Sequence, residues 1–300
     1  MALSAGGASV TQVTIQAPVK LNLYLHVVGR KGDGYHEVDT LIAFTDYGDS
    51  ITVEPADRFE IVTEGPFAAD LPDKEGNLVI HAVRALRDAA GFVGGAKITL
   101  SKNIPIAAGI GGGSADAAAA MWAVARLYDV DTKEKVDLFE IGSGLGSDVP
   151  ACLFRRPCFA SGVGHDLISA PVLPEAGVIL VNPGVKLATA SVFKARKGGF
   201  TPDGSNIEAN LEKVSLLVSF LKNRANDLTD AAVKLCPAVE DALYALEQLP
   251  GCRLARMSGS GATCFGIFDD RAAADLAASE FEAPDHWWMQ PMALAMPERV

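Results

Sequence analysis

Residues 105–121 read PIAAGIGGGSADAAAAM. Gly109, Gly111, Gly112 and Gly113 run through Ser114 into an alanine-rich segment that can only sensibly be a helix, from Ser114 to about Tyr128. A glycine loop feeding a helix N-terminus brings backbone N–H groups to one point, with no Cβ atoms in the way and a dipole that favours negative charge. Phosphate is the obvious guest. The loop is not a Walker A motif, because Ser114 and Ala115 follow Gly113 where Lys and Ser or Thr are required. A dinucleotide fingerprint from Gly109 needs its third glycine at position 114 and meets serine. A membrane helix over 104–125 is disfavoured by Pro105, the glycines and the weak hydrophobicity of alanine. A glycine turn that serves packing alone stays as the alternative.

The 300 residues allow two domains or one large one, with about three quarters of the chain's surface available for burial. Lys and Arg number 26 against 37 Asp and Glu, a net charge of -11, and no basic run stands out. These numbers argue against nucleic acid as a partner and leave room for a local basic site that takes a small anion. Cys152, Cys158, Cys236, Cys252 and Cys264 are odd in number and form no CxxC pair, as expected of a reduced cytoplasmic protein. The histidines are scattered, so no protein-built metal site is expected. The start, MALSAGGASV, lacks a signal peptide's basic and apolar regions and reads as a short tail.

Upstream of the loop, VTIQAPVKLNLYLHVVG from Val13 alternates as a strand, with Leu21, Leu23 and Leu25 on one face and Lys20, Asn22, Tyr24 and His26 on the other. Lys20 is either solvated or, beside Asn22, directed into a cleft. In RKGDGYHEVDTL, Gly32 and Gly34 mark a turn followed at once by Tyr35 and His36, which can clamp a flat ring or simply face water. Thr40–Phe44, Asp49–Glu54 and Phe59–Thr63 read as strands, Asn77–Ala90 as an amphipathic helix and Ala96–Leu100 as a strand, with Lys102 just before the loop.

Downstream, GSGLGSDVPACLF sets Asp148 on a glycine-rich bend before Pro150 and an apolar strand. Asp148 is a cap or a positioned catalytic carboxylate. Val178–Asn182 reads as a strand, Lys186 to Lys194 as a loop entering a helix, and 201–210 as an exposed polar connection. Two helices divided at Pro237, a second glycine turn at Gly259–Ser260–Gly261 between strands, a helix from Arg271 and a tail with Trp287 and Trp288 complete the chain. The tryptophans read as core or interface. A division near residue 165, where strands resume, splits the chain into 1–165 and 166–300.

Four separated stretches, APVKLNL, PIAAGIGGGSADAAA, GSDVP and SGSGATCF, resemble in their order the GHMP kinase superfamily, and the resemblance runs from about Ala17 to Phe268. It implies an α/β (α+β) fold of two lobes with a deep cleft between them. ATP would be the phosphoryl donor, with magnesium bound mainly through the nucleotide. Lys102, Pro105, Gly109, Gly111, Gly112, Gly113 and Ser114 are implied around ATP, Asp148 as the base and Lys20 beside it. The GRKGDGYHEVDTL segment is similar to that of members acting on 4-diphosphocytidyl-2-C-methyl-D-erythritol in the non-mevalonate isoprenoid pathway. That likeness implies Asn22, Tyr35, His36, Thr189, Phe193 and Lys194 as contacts of this small-molecule substrate. Ala115 and Asp116 depart from residues frequent in relatives, and neither is expected to touch a needed group.

These residue types suit phosphoryl transfer, which needs positioning and charge neutralisation more than covalent chemistry. Asp148 would accept the hydroxyl proton while Lys20 orients it and stabilises the incipient alkoxide. A kinase of another small alcohol is the nearest rival, opposed by the GDGYHE turn. A ligand-sensing protein that has lost catalysis is the other, opposed by Lys20 and Asp148 together.

Overall fold

The computed structural model describes residues 11–295 apart from 33, 72–75 and 203–209. The N-terminal tail and most of the polar connection at 201–210 thus lie outside the described residues.

Two long strands form the spine, β1 (Val13–Arg30) and β2 (His36–Ala56), antiparallel from Val13↔Val53 to Arg30↔His36. The two strands expected at Thr40–Phe44 and Asp49–Glu54 are one continuous β2. Gly48 makes this possible: a Cβ there would stand 2.1 Å from the Ala17 carbonyl oxygen, beside the register shift between Pro18 and Lys20. β3 (Glu60–Glu64) runs parallel to β4 (Gly95–Ser101), which pairs with residues 50–56 of β2.

Helices α1 (Leu78–Ala90) and α2 (Gly112–Leu127) cover this sheet, α1 capped by the Asn77 side chain on the Val79 N–H at 3.0 Å. From Ala115 to Ala125 nearly every residue of α2 is buried, so alanine lets β1, β2, α1 and its other neighbours approach closely. α2 begins two residues before Ser114, so Gly112 and Gly113 belong to its first turn.

α3 (Leu138–Leu145) absorbs Gly142 and Gly144, and α4 (Val149–Phe154) stands where an apolar strand was expected. Pro150 in the first turn explains the difference, since its fixed φ starts a helix as readily as it ends a strand. The strand comes later as β5 (Cys158–Ser161), which pairs with β2 and with β6 (Asp166–Ser169). Residue 165 lies in the turn of this β5–β6 hairpin.

The second sheet runs β10-β7-β9-β8, formed by β7 (Gly177–Asn182), β8 (Leu254–Met257), β9 (Cys264–Phe268) and β10 (Trp288–Ala295). Around it stand α5 (Thr189–Ala195), α6 (Val214–Lys222), α7 (Thr229–Leu235), α8 (Ala238–Gln248) and α9 (Arg271–Ser279). The sequence reading did not anticipate α6 or β10. Pro291 argues against a strand, yet β2 pairs with β10 only at Leu294 and Ala295, so no ladder on that side needs the missing N–H. Through β10 the two sheets join. Among the described residues no helix is long and apolar enough to cross a membrane.

Candidate active site

β1 crosses a cleft of about 1240 Å³ that lies between the glycine loop, α4 and α5. Every site residue expected from the sequence lines it, from Lys20 and Asn22 through the loop to Asp148, Tyr35, His36, Thr189, Phe193 and Lys194.

The expected polar face of β1 is only partly realised. A register shift between Asn22 and Tyr24 rotates the strand, so Lys20 and Asn22 face the cleft and Leu25 joins them. Tyr24 is instead fully buried and donates to Asp39 at 2.7 Å, with burial and Asp39 pushing its phenol pKa far up. His26 accepts from the Ala225 N–H at 3.2 Å, and its burial lowers its pKa.

Lys20 is 2% exposed and its Nζ donates to Asp148 Oδ1 at 2.9 Å and to Asn22 Oδ1 at 3.0 Å. Asn22 is fixed in turn by donating Nδ2 to Thr40 Oγ1 at 2.9 Å and its backbone N–H to Ser258 Oγ at 3.1 Å. Asp148 occupies the N-cap position of α4, yet its side chain makes no capping bond. The carboxylate turns to Lys20 while its side chain remains 42% exposed to the cleft. The side chain is therefore held by Lys20 and does not serve as the cap of α4.

The glycines serve different ends. Gly109 and Gly111 have φ of 74° and 69°, the left-handed region, and a Cβ on Gly109 would lie 2.2 Å from the Gly261 carbonyl oxygen. Gly112 is helical, and a Cβ on it would meet Ile104 Cδ1 at 2.9 Å and Lys102 Nζ at 3.2 Å. A Cβ on Gly113 would meet nothing within 4 Å. The first intrahelical bond runs from the Ala115 N–H to the Gly111 carbonyl at 2.8 Å, which leaves the N–H groups of Gly112, Gly113 and Ser114 without an intrahelical acceptor.

The second glycine turn clamps the first. Thr263 donates its N–H to the Ala108 carbonyl at 3.2 Å, and Asn226 holds the carbonyls of Met257 and Gly259 at 2.8 Å each. Ser260 Oγ lies 2.9 Å from Thr189 Oγ1 at the start of α5. Sequence reasoning noticed this turn but missed Ser258, Ser260 and Thr40 as supports.

Lys102 is almost wholly buried under the loop, bonded to Asp49 Oδ2 at 2.5 Å and Asp116 Oδ2 at 2.8 Å. Asp116 therefore touches Lys102, one of the residues expected around ATP, contrary to expectation: α2 starts early enough to turn this position onto it. On the opposite side of the cleft, the His36 and Phe193 rings stack with centroids 5.0 Å apart and planes at 27°. Burial, then Arg30 and Arg196, lower the His36 pKa. Tyr35 is 68% exposed at the rim, and Thr189 and Lys194 are exposed on α5.

The chain matches the GHMP kinases N terminal domain over residues 77–156 and the GHMP kinases C terminal over residues 209–285. A 4-diphosphocytidyl-2-C-methyl-D-erythritol kinase from Paramagnetospirillum magneticum is 44% identical over 285 residues, 95% of this chain and 99% of that protein. This chain belongs to the 4-diphosphocytidyl-2-C-methyl-D-erythritol kinase family. A member of that kinase family from Rhodospirillum rubrum is 42% identical over 91% of this chain and 89% of its own length. The crystal structure of a 4-(cytidine 5'-diphospho)-2C-methyl-D-erythritol kinase superposes with a TM-score of 0.77 at 34% identity, over 94% of this chain and all of that one. Homoserine kinase from Cytophaga hutchinsonii, at 17% identity and a TM-score of 0.71 over 99% of this chain and 98% of its own, shares the fold. The fold is thus the two-lobed GHMP kinase fold, and the chain is a small-molecule kinase of this family.

Proposed function

We infer that this kinase transfers the γ-phosphoryl group of ATP to the 2-hydroxyl of 4-diphosphocytidyl-2-C-methyl-D-erythritol, giving the 2-phosphate and ADP in the non-mevalonate route to isoprenoid precursors. The observation that carries the reading is the buried Lys20 ammonium, held between Asp148 and Asn22 within the same cleft as the phosphate loop and the aromatic pocket.

In this reading the N–H groups of Gly112, Gly113 and Ser114 receive the nucleotide's phosphates at the positive end of α2. Pro105, Gly109 and Gly111 shape the approach, and Lys102 sets the charge beneath it. Asp148 accepts the proton of the attacking hydroxyl, a role that needs a carboxylate exposed to substrate yet fixed in direction. Lys20 supplies the direction and stabilises negative charge on the nascent alkoxide and the γ-phosphoryl oxygens. Asn22 keeps the ammonium from following either partner.

The cytidyl end binds at His36, Phe193 and Tyr35, with Thr189 and Lys194 beside them. The rings of His36 and Phe193 are already at stacking distance, so the pyrimidine goes on an outer face, where Tyr35 can cover it. Binding energy from the base then holds the small alcohol against Asp148.

Magnesium suits this site as a companion of the nucleotide. Among the described residues no three His, Cys, Asp or Glu side chains converge, while Asp148 offers a hard oxygen for a metal-bound water. The ion would neutralise phosphate charge. The five cysteines are unpaired, which supports placing the enzyme in the reducing cytoplasm.

The test is ADP release coupled to a spectrophotometric reporter, with ATP and a panel of acceptors. Turnover of the cytidyl substrate and near silence on free methylerythritol, its 4-phosphate and mevalonate are expected. Equal activity on mevalonate overturns the cytidyl assignment.

A further inference from the structure

Beneath the phosphate loop lies a buried cluster of one cation and two carboxylates whose hydrogen bonding is uneven. Asp49 accepts three N–H donors: Lys102 Nζ at 2.5 Å, the Asn103 N–H at 2.5 Å and the Ile104 N–H at 3.1 Å. Asp116 accepts Lys102 Nζ through Oδ2 at 2.8 Å, while its Oδ1 is buried without a hydrogen-bond partner. The side chains of Lys102, Asp49 and Asp116 are at most 3% exposed. Asp116 and Lys102 also line the cleft, and the Lys102 ammonium lies against Gly112 in the first turn of α2.

With both carboxylates ionised the cluster carries one net negative charge directly under the place that gathers phosphates. A buried charged oxygen without a partner is costly, and the cheaper state is the neutral acid. Asp49, with its three donors, is the natural counter-ion of Lys102. The proton therefore belongs on Asp116.

We propose that Asp116 is a positioning residue for the nucleotide, holding Lys102 against the first turn of α2 while carrying a proton, so that the floor of the phosphate loop is electrically neutral when ATP binds. This rests on the kinase reading of the cleft. Burial pushes the Asp116 carboxyl up to about 8 against the pull of Lys102, and the Asp49 charge and the hydrogen bond between the two carboxyl groups add to the rise. Burial alone would lower the Lys102 pKa; with Asp116 neutral, the Asp49 charge and the hydrogen bonds to both carboxyl groups hold the ammonium's proton. From α4 the facing titratable group is Cys152, a thiol that burial keeps neutral, with Asp148 and the Lys20 ammonium of β1 beyond it.

The sign follows from linkage. ATP adds negative charge above the cluster and favours protonated Asp116, so ATP binding takes up protons where Asp116 titrates and weakens as pH rises through that range. The KM for ATP is expected to be level near neutrality and to rise by up to about tenfold per pH unit above it. Asp116→Ala removes one of the two acceptors of a buried ammonium and should raise the KM for ATP about tenfold or more, with a much smaller fall in kcat. Asp116→Asn should recover most of that loss and abolish the alkaline rise. Equal damage from both variants, or an Asn variant that keeps the parent's alkaline profile, overturns the proposal. Should neither variant fold, calorimetry of ADP binding to the parent enzyme at pH 8 in two buffers of different ionisation enthalpy decides it. Uptake of a fraction of a proton is expected, and zero uptake overturns the proposal. Parent turnover at neutral pH separately tests the kinase reading, so the two failures are distinguishable.

Discussion

Replacing Asp148 with asparagine removes a charge and a proton acceptor while changing the side chain's shape very little. The structure separates the catalytic cost from the folding cost. Asp148 makes no capping bond at α4, so the roughly 1 kcal/mol that a lost cap normally costs does not arise. What is lost is the ion pair with Lys20 at 2.9 Å, one partner 2% exposed and the other 42%. Such a pair falls between an exposed bridge, worth up to about 1 kcal/mol, and a fully buried one, whose breaking costs about 3–5 kcal/mol. The exposed carboxylate and the surviving Asn22 acceptor place it toward the lower bound. The variant should therefore fold and bind ATP as the parent does. Its kcat should drop by about two to four orders of magnitude, the span of a general base. The coupled ADP-release assay reads kcat, and titration calorimetry reads nucleotide affinity. A correctly folded Asp148→Asn enzyme with kcat within a few-fold of the parent would refute the role of Asp148 as base.

Gly109→Ala must place a side chain 2.2 Å from the Gly261 oxygen at a positive φ that alone costs about 1–2 kcal/mol, so its thermal midpoint and its ATP affinity should both fall. Gly112→Val should weaken ATP binding more than substrate binding in calorimetric titrations, because its side chain would press on Ile104 and Lys102; its backbone is helical, so a forbidden φ plays no part. His36→Ala should raise the KM for the cytidyl substrate about tenfold through loss of a stacking partner and leave the KM for ATP nearly unchanged; equal changes in both would remove His36 from the base pocket. His26 has a lowered pKa in the fold, so the unfolded chain binds its proton first: stability is full above the ordinary histidine range and is lost as pH falls through it. A thermal midpoint that drops below pH 6.5 in the parent and drops less in His26→Gln is expected, and identical pH profiles would assign the loss to other groups.

The residues that gather in the cleft were legible because their types are rare in such settings. A glycine cluster that ends in serine and alanine, a lysine two residues before an asparagine on an alternating strand, and an aspartate on a glycine-rich bend each have few uses. What stayed hidden depends on register. The slip between Asn22 and Tyr24 decides that Asn22 faces the cleft while Tyr24 is buried, and a slip leaves no mark in residue type. Asp116 looked dispensable because its meaning lies in a contact with Lys102 that exists only once α2 begins at Gly112. β10 was hidden by a proline whose tolerance rests on how little β2 pairs with it.

The two ends of the cleft are mounted differently, and this bears on how each can be altered. β1 contributes Ile15 and Ala17 to the core beneath α2, Leu21 and Leu23 to the core between the sheets, and Leu25 and Val27 to the core of the second sheet. Lys20 and Asn22 thus sit on an element pinned by three cores, with hydrogen bonds to Thr40 and Ser258 on either side. The proposed cytidyl end is built on a turn and a seven-residue helix, where Tyr35, Thr189 and Lys194 are exposed. On the proposed reading, precision in phosphoryl transfer depends on the first group, since a displacement of about 1 Å at the reacting atoms can cost a hundredfold in rate. On the same reading, recognition of the base depends on the second, where side chains can adjust without disturbing a core. Substitutions around Lys20 should accordingly lower kcat and stability together, whereas substitutions at Tyr35 or Thr189 should act on the KM of the acceptor and leave the fold as it is.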